Sequence, residues 1–389
     1  MRSPLLPFAT LEDWAGGLSA ARSPQDAGAW ERDRKIARHR LSELLNIPEI
    51  REAIFLASPS LESRITMWRN HPDGEDERGL EVGLVKYISR MAARCTPFGL
   101  FAGSTTGRIG STLRLELRAR NAARRHTRLD MEYLSAIVTQ LANDLSLREH
   151  LTYCTNSSLA EAGGTLRYAE ARWSQGNRAY YLVDVEPHTH LLRALARARH
   201  GASWQQIAQA IEDEDVSYDE AAAFVHQLID AQLLICDLGP IVTGPESLEH
   251  LLASLSIIPA TQRAYELLTL ARNTLAQFDQ EGVGISSERY RALASSLESL
   301  APVEISRLFQ VDLSRPAETV EISSDLATEL LRGAQVLLDL FGGTPRDSLE
   351  AFRRAFEERY GEREVLLVEA LDEEIGIGFE TAHHTGVDP

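Results

Sequence analysis

Residues 87–103 of the chain read YISRMAARCTPFGLFAG. Arg90 and Arg94 are four residues apart, so one face of a helix presents two neighbouring guanidinium groups, and Lys86 extends that row by one turn. Pro97 ends the helix, because it lacks an amide hydrogen and disfavours helical geometry in the residue before it. Adjacent like charges destabilise a bare helix, and arginine binds phosphate or carboxylate through a planar fork. The stretch predicts a helix with an anionic partner; pairing with acids of the same chain is the alternative.

This stretch belongs to a basic segment in an acidic protein. Between Leu84 and Arg128 there are ten Lys or Arg residues and one acid, Glu116, which gives a local charge of +9. Since the 389 residues carry −17 in total, the rest of the chain carries −26. Clustered arginines attract a polyanion locally even when the whole molecule repels it. The segment is therefore either a polyanion-binding surface or a solvated basic face.

Composition excludes several other classes of protein. Cys95, Cys154 and Cys236 are far apart and form no CxxC or Cys/His cluster, which argues against a disulfide framework, a zinc site or redox chemistry. No apolar run approaches the length of a membrane helix, and the N-terminus has no signal-peptide pattern. We expect a cytoplasmic globular protein without a metal or a cofactor.

The hydrophobic pattern predicts an α+β fold in three parts, residues 1–149, 150–238 and 239–389. The first part is mixed helix and sheet, and the last is mostly helical. In the first part, Leu113, Leu115 and Leu117 alternate with charged residues, which predicts a half-buried strand. The helices predicted along the chain outside the middle part are Asp33–Leu45, Leu61–Trp68, Leu80–Ala93, Ser247–Leu255, Ala260–Phe278, Ser287–Leu300 and Ser324–Phe341, with a strand at Ile305–Leu313.

The middle part predicts a winged-helix-like domain. Its strands are Leu151–Thr155, Leu166–Ala171 and Arg178–Glu186, with turns at Gly163-Gly164 and Gly176-Asn177. Three helices follow: Pro187–Ala198, one capped by Ser203, and one capped by Ser217 with Glu220 in the capping box, and then an extended run at Leu233–Cys236.

The residues of this domain favour binding of a peptide over binding of DNA. The third helix carries Asp219, Glu220 and Asp230 and no Lys or Arg, which repels phosphate. We expect a peptide to add as a strand along Arg178–Val185 and to pack against the third helix. The residues assigned to that contact are Tyr181, Val183, Phe224 and Leu228. His188 and His190 suggest a metal site, but their place at a helix start favours a capping or solvated role.

Residues 87–103 closely resemble the Arg-x-x-x-Arg-x-Thr-Pro-Phe-Gly-Leu-Phe signature of the lantibiotic dehydratases. Other segments are similar at the expected places along nearly the whole chain: residues 2–7, 127–130, 310–313, 356–361 and 371–378. The resemblance implies a glutamylation domain, which esterifies glutamate from glutamyl-tRNA onto Ser and Thr of a precursor peptide. This is the first step of dehydroamino-acid formation in lanthipeptide and thiopeptide biosynthesis. Glutamyl-tRNA would be a co-substrate, and the middle domain would bind the leader of the precursor peptide.

The resemblance also assigns residues to roles. The positions that match functional ones are Arg2, Arg90, Arg94, Thr96, Asp130 and Asp312. Arg90, Arg94 and the basic tract would hold acceptor-end phosphates or the glutamyl carboxylate, Thr96 would reach the 3′ end, and the two aspartates would orient the α-amine or act as a base. The residues assigned to tRNA are Lys86, Arg118, Arg120, Arg124, Arg125 and Arg128.

The chain also departs from the family. The family's glutamylation domain continues further and includes another functional arginine, and its separate elimination domain has no counterpart here. We therefore expect residues 239–389 to be incomplete, with a truncated gene or a complementing dehydratase polypeptide as explanations, and a homodimer as a further possibility. The alternative function is a non-catalytic leader-peptide-binding partner of another enzyme. DNA-binding regulation is disfavoured by the acidic third helix.

Overall fold

The computed structural model describes residues 1–18, 27–70, 75–174, 177–241, 243–302, 304–341, 348–372 and 376–378. Its helices are α1 (Ala9–Ala15), α2 (Ala27–Leu44), α3 (Pro48–Ala57), α4 (Pro59–Asn70), α5 (Glu75–Ala93), α6 (Met131–Asn143), α7 (Leu145–Arg148), α8 (Thr189–Ala198), α9 (Trp204–Ile211), α10 (Tyr218–Asp230), α11 (Ser247–Leu255), α12 (Gln262–Glu281), α13 (Ser287–Leu297), α14 (Ser324–Phe341), α15 (Ser348–Tyr360) and α16 (Leu367–Ala370). Its strands are β1 (Arg2–Pro4), β2 (Ala102–Ser104), β3 (Arg108–Gly110), β4 (Arg114–Leu117), β5 (Arg124–Leu129), β6 (Tyr153–Thr155), β7 (Ala160–Ala162), β8 (Thr165–Ser174), β9 (Asn177–Val185), β10 (Leu234–Cys236), β11 (Phe309–Ser314) and β12 (Ala317–Ser323). The predicted α+β class is confirmed.

The chain divides into two compact units. One unit combines Met1–Leu141 with Leu238–Thr328, and the other combines Ala142–Asp237 with the described residues from Glu329 onward. Segments far apart in sequence therefore share the first unit, which contains the candidate site. The division into parts 1–149, 150–238 and 239–389 stays a prediction about independent domains.

A four-stranded sheet in the order β1-β2-β11-β5 organises the first unit. β11 runs parallel to β2 and antiparallel to β5. Val311 and Leu313 of β11 are buried in a core with side chains of α2 to α5, whereas Asp312 between them is exposed. This alternation is the period of two of a strand with one covered face. The other face is therefore free to carry polar groups.

A second sheet of the first unit, in the order β3-β12-β4, differs from the prediction. The strand at Arg114–Leu117 forms, but Leu113 and Leu115 are 58% and 51% exposed. Leu117 is half-buried as expected, but the expectation was wrong for Leu113 and Leu115, because pairing with β12 satisfies the backbone of β4 without covering these two side chains.

The second unit contains the predicted strands and helices of the middle part in the predicted order. β8 and β9 form a hairpin, and β10 returns to pair with β6. Ser203 and Ser217 cap α9 and α10, as the sequence predicts, and the capping box predicted at Ser217 and Glu220 is present; Gln206 completes a second box at Ser203. The first of the three helices starts at Thr189, with His188 as its N-cap. The winged-helix assignment itself stays a prediction.

Several predicted boundaries are confirmed and others shift. α11 and α14 have the predicted ends, whereas the strand predicted at Ile305–Leu313 begins at Phe309, because Ile305–Arg307 forms a 3₁₀ turn. Gly176, part of a predicted turn, and residues 373–375 and 379–389 lie outside the described residues. In the described ranges, no helix combines the length and apolar content that a membrane span requires.

Candidate functional site

The C-terminal end of α5 positions the first group of predicted residues. Leu84, Ile88 and Met91 bury one face of this helix, which leaves Lys86 exposed and Arg90 half-buried. Lys86 and Arg90 therefore follow one another along the outer side of the helix, as the sequence predicts.

Arg90 is held by aromatic rings. Its guanidinium carbon lies 5.6 Å from the ring centre of Phe98 and 5.8 Å from that of Phe101. A guanidinium over a ring face is attracted by the ring quadrupole while its N–H groups remain available. The N–H of Arg94 donates to the carbonyl of Arg90 at 3.1 Å, so Arg94 continues the last turn of α5, and its side chain is exposed.

The Thr-Pro-Phe-Gly segment turns sharply after the helix. Gly99 has φ of +51°, a left-handed conformation that favours glycine, and the N–H of Phe101 donates to the carbonyl of Phe98 at 3.0 Å. Phe101 is buried while Phe98 and Thr96 stay exposed. The turn thus anchors the segment and presents Phe98 beside Arg90.

The uncovered side of the four-stranded sheet, the polar sheet face, carries the second group. It consists of Arg2, Ser104, Gln310, Asp312, Ser314, Arg124, His126 and Arg128. Asp312 accepts a hydrogen bond from Nη1 of Arg128 at 2.7 Å, and Gln310 accepts one from Nε of Arg128 at 3.2 Å. Arg2 lies opposite Ser104 at the far edge of the sheet.

His126 is a site residue that the sequence reasoning missed. It lies directly opposite Asp312 in the β5–β11 register, and its Nε2 is 2.5 Å from a carboxylate oxygen of Glu246. Its Nδ1 is 3.7 Å from Asp279. A histidine between carboxylates beside an exposed aspartate can serve as a general base or acid. No spacing rule connects residues 126, 246 and 312, so the sequence carried no signal for this group.

A cleft of about 470 Å³ joins the two groups. One part of its wall is Pro97, Phe98 and Gly99, and another is the β11 segment from Phe309 to Leu313, including Asp312. Ser104 and residues of α3 complete it. The structure therefore brings the turn after α5 next to an aspartate more than 200 residues later in the sequence.

Asp130 lies outside the lining of this cleft. Its Oδ1 accepts the N–H of Glu132 at 2.8 Å at the start of α6, and its own N–H donates to the carbonyl of Leu308 at 2.9 Å. This is the geometry of a helix cap. The predicted role of Asp130 towards substrate stays a prediction.

The predicted tRNA-binding arginines have different surroundings. Arg124 is exposed, and Arg118 forms a surface ion pair with Glu318 at 2.9 Å. Nε and Nη2 of Arg120 are buried without a hydrogen-bond partner in the described structure. The prediction for Arg125 was wrong: its side chain is fully buried and bonds to the buried Glu52, so a phosphate in solvent cannot reach it.

The predicted peptide-binding residues lie in the second unit. β9 is an edge strand of the sheet β7-β8-β9, as the sequence reasoning required, and Tyr181 is exposed on it while Val183 is half-buried. Phe224 of α10 is half-buried with its ring centre 5.5 Å from that of His188. Leu228 is 4% exposed, so its assignment to a peptide contact was wrong: the side chain belongs to the helix's core face.

Comparison with known proteins identifies relatives. The family model for the N terminus of lantibiotic dehydratases matches residues 46–387. The subtilin biosynthesis protein SpaB of Bacillus subtilis is 25% identical over 360 residues, which cover 87% of this chain and 33% of SpaB.

Solved structures show the same fold. The tRNA-dependent lantibiotic dehydratase MibB from Microbispora sp. 107891 matches with a TM-score of 0.71 and 26% identity, over 87% of this chain and 34% of MibB. The TbtB glutamylation domain from thiomuracin biosynthesis matches with a TM-score of 0.58 and 17% identity, over 87% of this chain and 41% of that one; this likeness concerns the fold alone. The chain spans about a third of the length of SpaB and MibB.

Proposed function

This chain belongs to the family of the lantibiotic dehydratase N terminus, and from that premise we propose that it transfers glutamate from glutamyl-tRNA to Ser and Thr side chains of a precursor peptide. The transfer would be the first step of dehydroamino-acid formation in a lanthipeptide or thiopeptide pathway. The observation that carries the proposal is the cleft between the Pro97–Gly99 turn and Asp312, with Arg90 stacked on its Phe98 wall. The tRNA dependence of MibB supports the choice of acyl donor.

The reaction exchanges one ester for another. The Ser or Thr oxygen attacks the carbonyl carbon of the glutamyl ester, the bond from that carbon to the terminal ribose oxygen breaks, and the hydroxyl proton ends on that ribose oxygen. No external energy or redox cofactor is needed, so the protein acts by positioning two substrates and moving a proton.

The residues of the candidate site suit those tasks. Arg90 and Arg94 would bind the anionic groups of the donor, and Thr96 would hydrogen-bond the terminal ribose. Asp312 would orient the ammonium group of the glutamyl residue. His126, opposite Asp312, is the candidate for accepting the hydroxyl proton as a general base.

Two partners follow from this proposal. The leader of the precursor peptide would add as a strand along β9, where Tyr180 and Leu182 are 64% and 75% exposed and the strand edge offers unpaired backbone groups. A complementing dehydratase polypeptide would supply the elimination step. A homodimer is compatible with this arrangement.

A glutamylation assay tests the proposal. The full chain is incubated with precursor peptide, glutamate, tRNA, its synthetase and ATP, with and without a candidate complementing polypeptide, and the peptide is weighed by mass spectrometry. We expect mass gains of one glutamyl residue each with the wild type and none with Arg90→Ala. Arg64→Ala, an exposed arginine of α4, is the matched control and should leave the yield unchanged. Absence of adducts in both arms would overturn the proposal.

The alternative function is a non-catalytic carrier of the leader peptide. The observation that supports it is the exposed edge strand β9. This alternative predicts calorimetric binding of the leader peptide to the full chain, without adducts in either arm of the glutamylation assay. Adducts that depend on Arg90 would contradict it.

A further inference from the structure

Arg120 and Arg315 are an unusual pair in the first unit. Nε and Nη2 of Arg120 and Nη1 of Arg315 are inaccessible to solvent and have no hydrogen-bond partner among the described residues. The side chains of both residues form no ion pair in that part of the chain. Two partly buried guanidinium groups that repel each other thus lack, among the described residues, the acid that a buried arginine normally requires.

The sheet register places the two residues at the same end of the four-stranded sheet. Arg315 directly follows Ser314 at the end of β11, and Ser314 lies opposite Arg124, the first residue of β5. Arg120 begins the short 3₁₀ turn Arg120–Ala122 that leads into β5. Both arginines therefore lie at the same end of the four-stranded sheet.

Gly103 makes room for this arrangement. A Cβ atom built on Gly103 would lie 2.6 Å from Cγ of Arg315, which is too close for any larger residue unless the arginine moves. The N–H of Arg315 also donates to the carbonyl of Ser104 at 2.9 Å, which fixes its backbone beside β2. Because Gly103, the last residue of the stretch 87–103, has no side chain, the Arg315 side chain can pack directly against the backbone of β2.

The electrostatics of the pair are unfavourable as they stand. Burial and the neighbouring charge of Arg120 lower the pKa of Arg315. Arginine nevertheless stays charged in proteins, so deprotonation does not relieve the repulsion. An anion between the two guanidinium groups would satisfy the buried N–H donors and cancel the repulsion together.

We propose that Arg120 and Arg315 form an anion-binding site that takes a backbone phosphate of the acceptor strand of tRNA. This site rests on the proposed function, because it names a second contact for the same donor substrate. Arg2 and Arg124 are exposed at the same end of the sheet, on its polar face, so this end of the sheet carries further positive charge for a polyanion.

The distance to the cleft favours phosphate over the glutamyl carboxylate. Arg315 follows Asp312 by three residues, and the strand rise places their Cα atoms about 10 Å apart. A glutamyl group at Asp312 would leave its single free carboxylate, that of the side chain, near the cleft. A phosphate further along the same RNA strand would reach the pair.

The test measures binding of a fluorescent RNA hairpin with the sequence of a tRNA acceptor arm to the full chain over a series of salt concentrations. We expect Arg120→Met with Arg315→Met to weaken binding by about tenfold or more and to reduce the slope of log affinity against log salt by about one to two. Arg64→Met is the matched control and should change neither quantity. Arg315→Lys keeps the charge but not the fork, so it should retain the slope and lose part of the affinity.

The rise in melting temperature on adding inorganic pyrophosphate, measured for the wild type and the double variant, distinguishes an RNA site from a site for small phosphates. Unchanged RNA affinity together with unchanged pyrophosphate stabilisation in the double variant would overturn the site, and the glutamylation assay would then decide the proposed function independently. Loss of pyrophosphate stabilisation with unchanged RNA binding would overturn the assignment to RNA and leave a small-phosphate site. Each variant's melting temperature without ligand shows that it is folded.

Discussion

Arg125 and Arg120 lie five residues apart in the basic segment, and their guanidinium groups have opposite surroundings. Arg125 is fully buried and bonds to Glu52, to the hydroxyl of Tyr290 and, at 2.9 Å from its Nε, to Thr127. Arg120 is only partly buried, yet two of its nitrogens have no partner in the described structure. The first arginine therefore stabilises the fold, whereas we propose that the second binds an anionic ligand. A count of positive charges in the sequence does not distinguish the two.

The Arg125 network joins elements far apart in the sequence. The second oxygen of Glu52 in α3 accepts the N–H groups of Gly284 and Ile285, at 2.6 and 3.0 Å, just before α13. Burial would lower the pKa of Arg125, but the Glu52 carboxylate and Tyr290 raise it overall, and burial raises the pKa of Tyr290. Arg125 thus stays charged and Tyr290 stays protonated, so the donors and acceptors are matched.

The largest effect is expected on removing Arg125. Arg125→Met leaves the buried Glu52 carboxylate without its cation and should lower the free energy of unfolding by about 3–5 kcal/mol. Urea denaturation followed by circular dichroism measures it. The double change Glu52→Gln with Arg125→Met should recover a large part of that loss. A loss below about 1 kcal/mol for the single variant would show that Arg125 does not stabilise the fold through its bond to Glu52.

Removing the charge of Arg315 should raise the free energy of unfolding, in contrast to the change at Arg125. Arg315→Met relieves the repulsion with Arg120 while keeping an apolar side chain over Gly103, so unfolding should become more costly by about 1 kcal/mol without ligand. The same denaturation experiment applies. A destabilisation comparable to that of Arg125→Met would mean that Arg315 also has a structural partner.

The smallest effect on stability is expected at Asp312. Its ion pair with Arg128 is exposed to solvent, so Asp312→Asn should change the free energy of unfolding by about 0.5 kcal/mol or less. Glutamylation should nevertheless fall by at least an order of magnitude, because the variant loses the charge at the cleft. Asp325→Asn, at the start of α14, is the charge-matched control. Equal glutamylation by both variants would remove Asp312 from the site.

Strong local signals predicted the helices well. The capping boxes at Ser203 and Ser217 depend on residues three apart, and both are present. The sequence analysis missed β5 because Arg124–Leu129 contains several charged residues in succession. In the structure its residues alternate between the exposed face, which includes His126, and the buried face, which includes Thr127. Short strands of this kind are specified by their neighbours in the sheet and not by their own pattern.

Taken by themselves, the residues of the sequence determined the positive charge of the segment around Arg90 and Arg94, the family signature around Thr96–Phe101, and the caps that set the helix ends. Those properties depend on neighbours within one or two helical turns. Only the tertiary structure decided that Asp312 faces the Pro97–Gly99 turn, that His126 lies opposite it, and which arginines are buried. The physical reason is that the free energy of a charge depends on the partner and solvent around it, and here those partners come from strands and helices about 70 to 240 residues away.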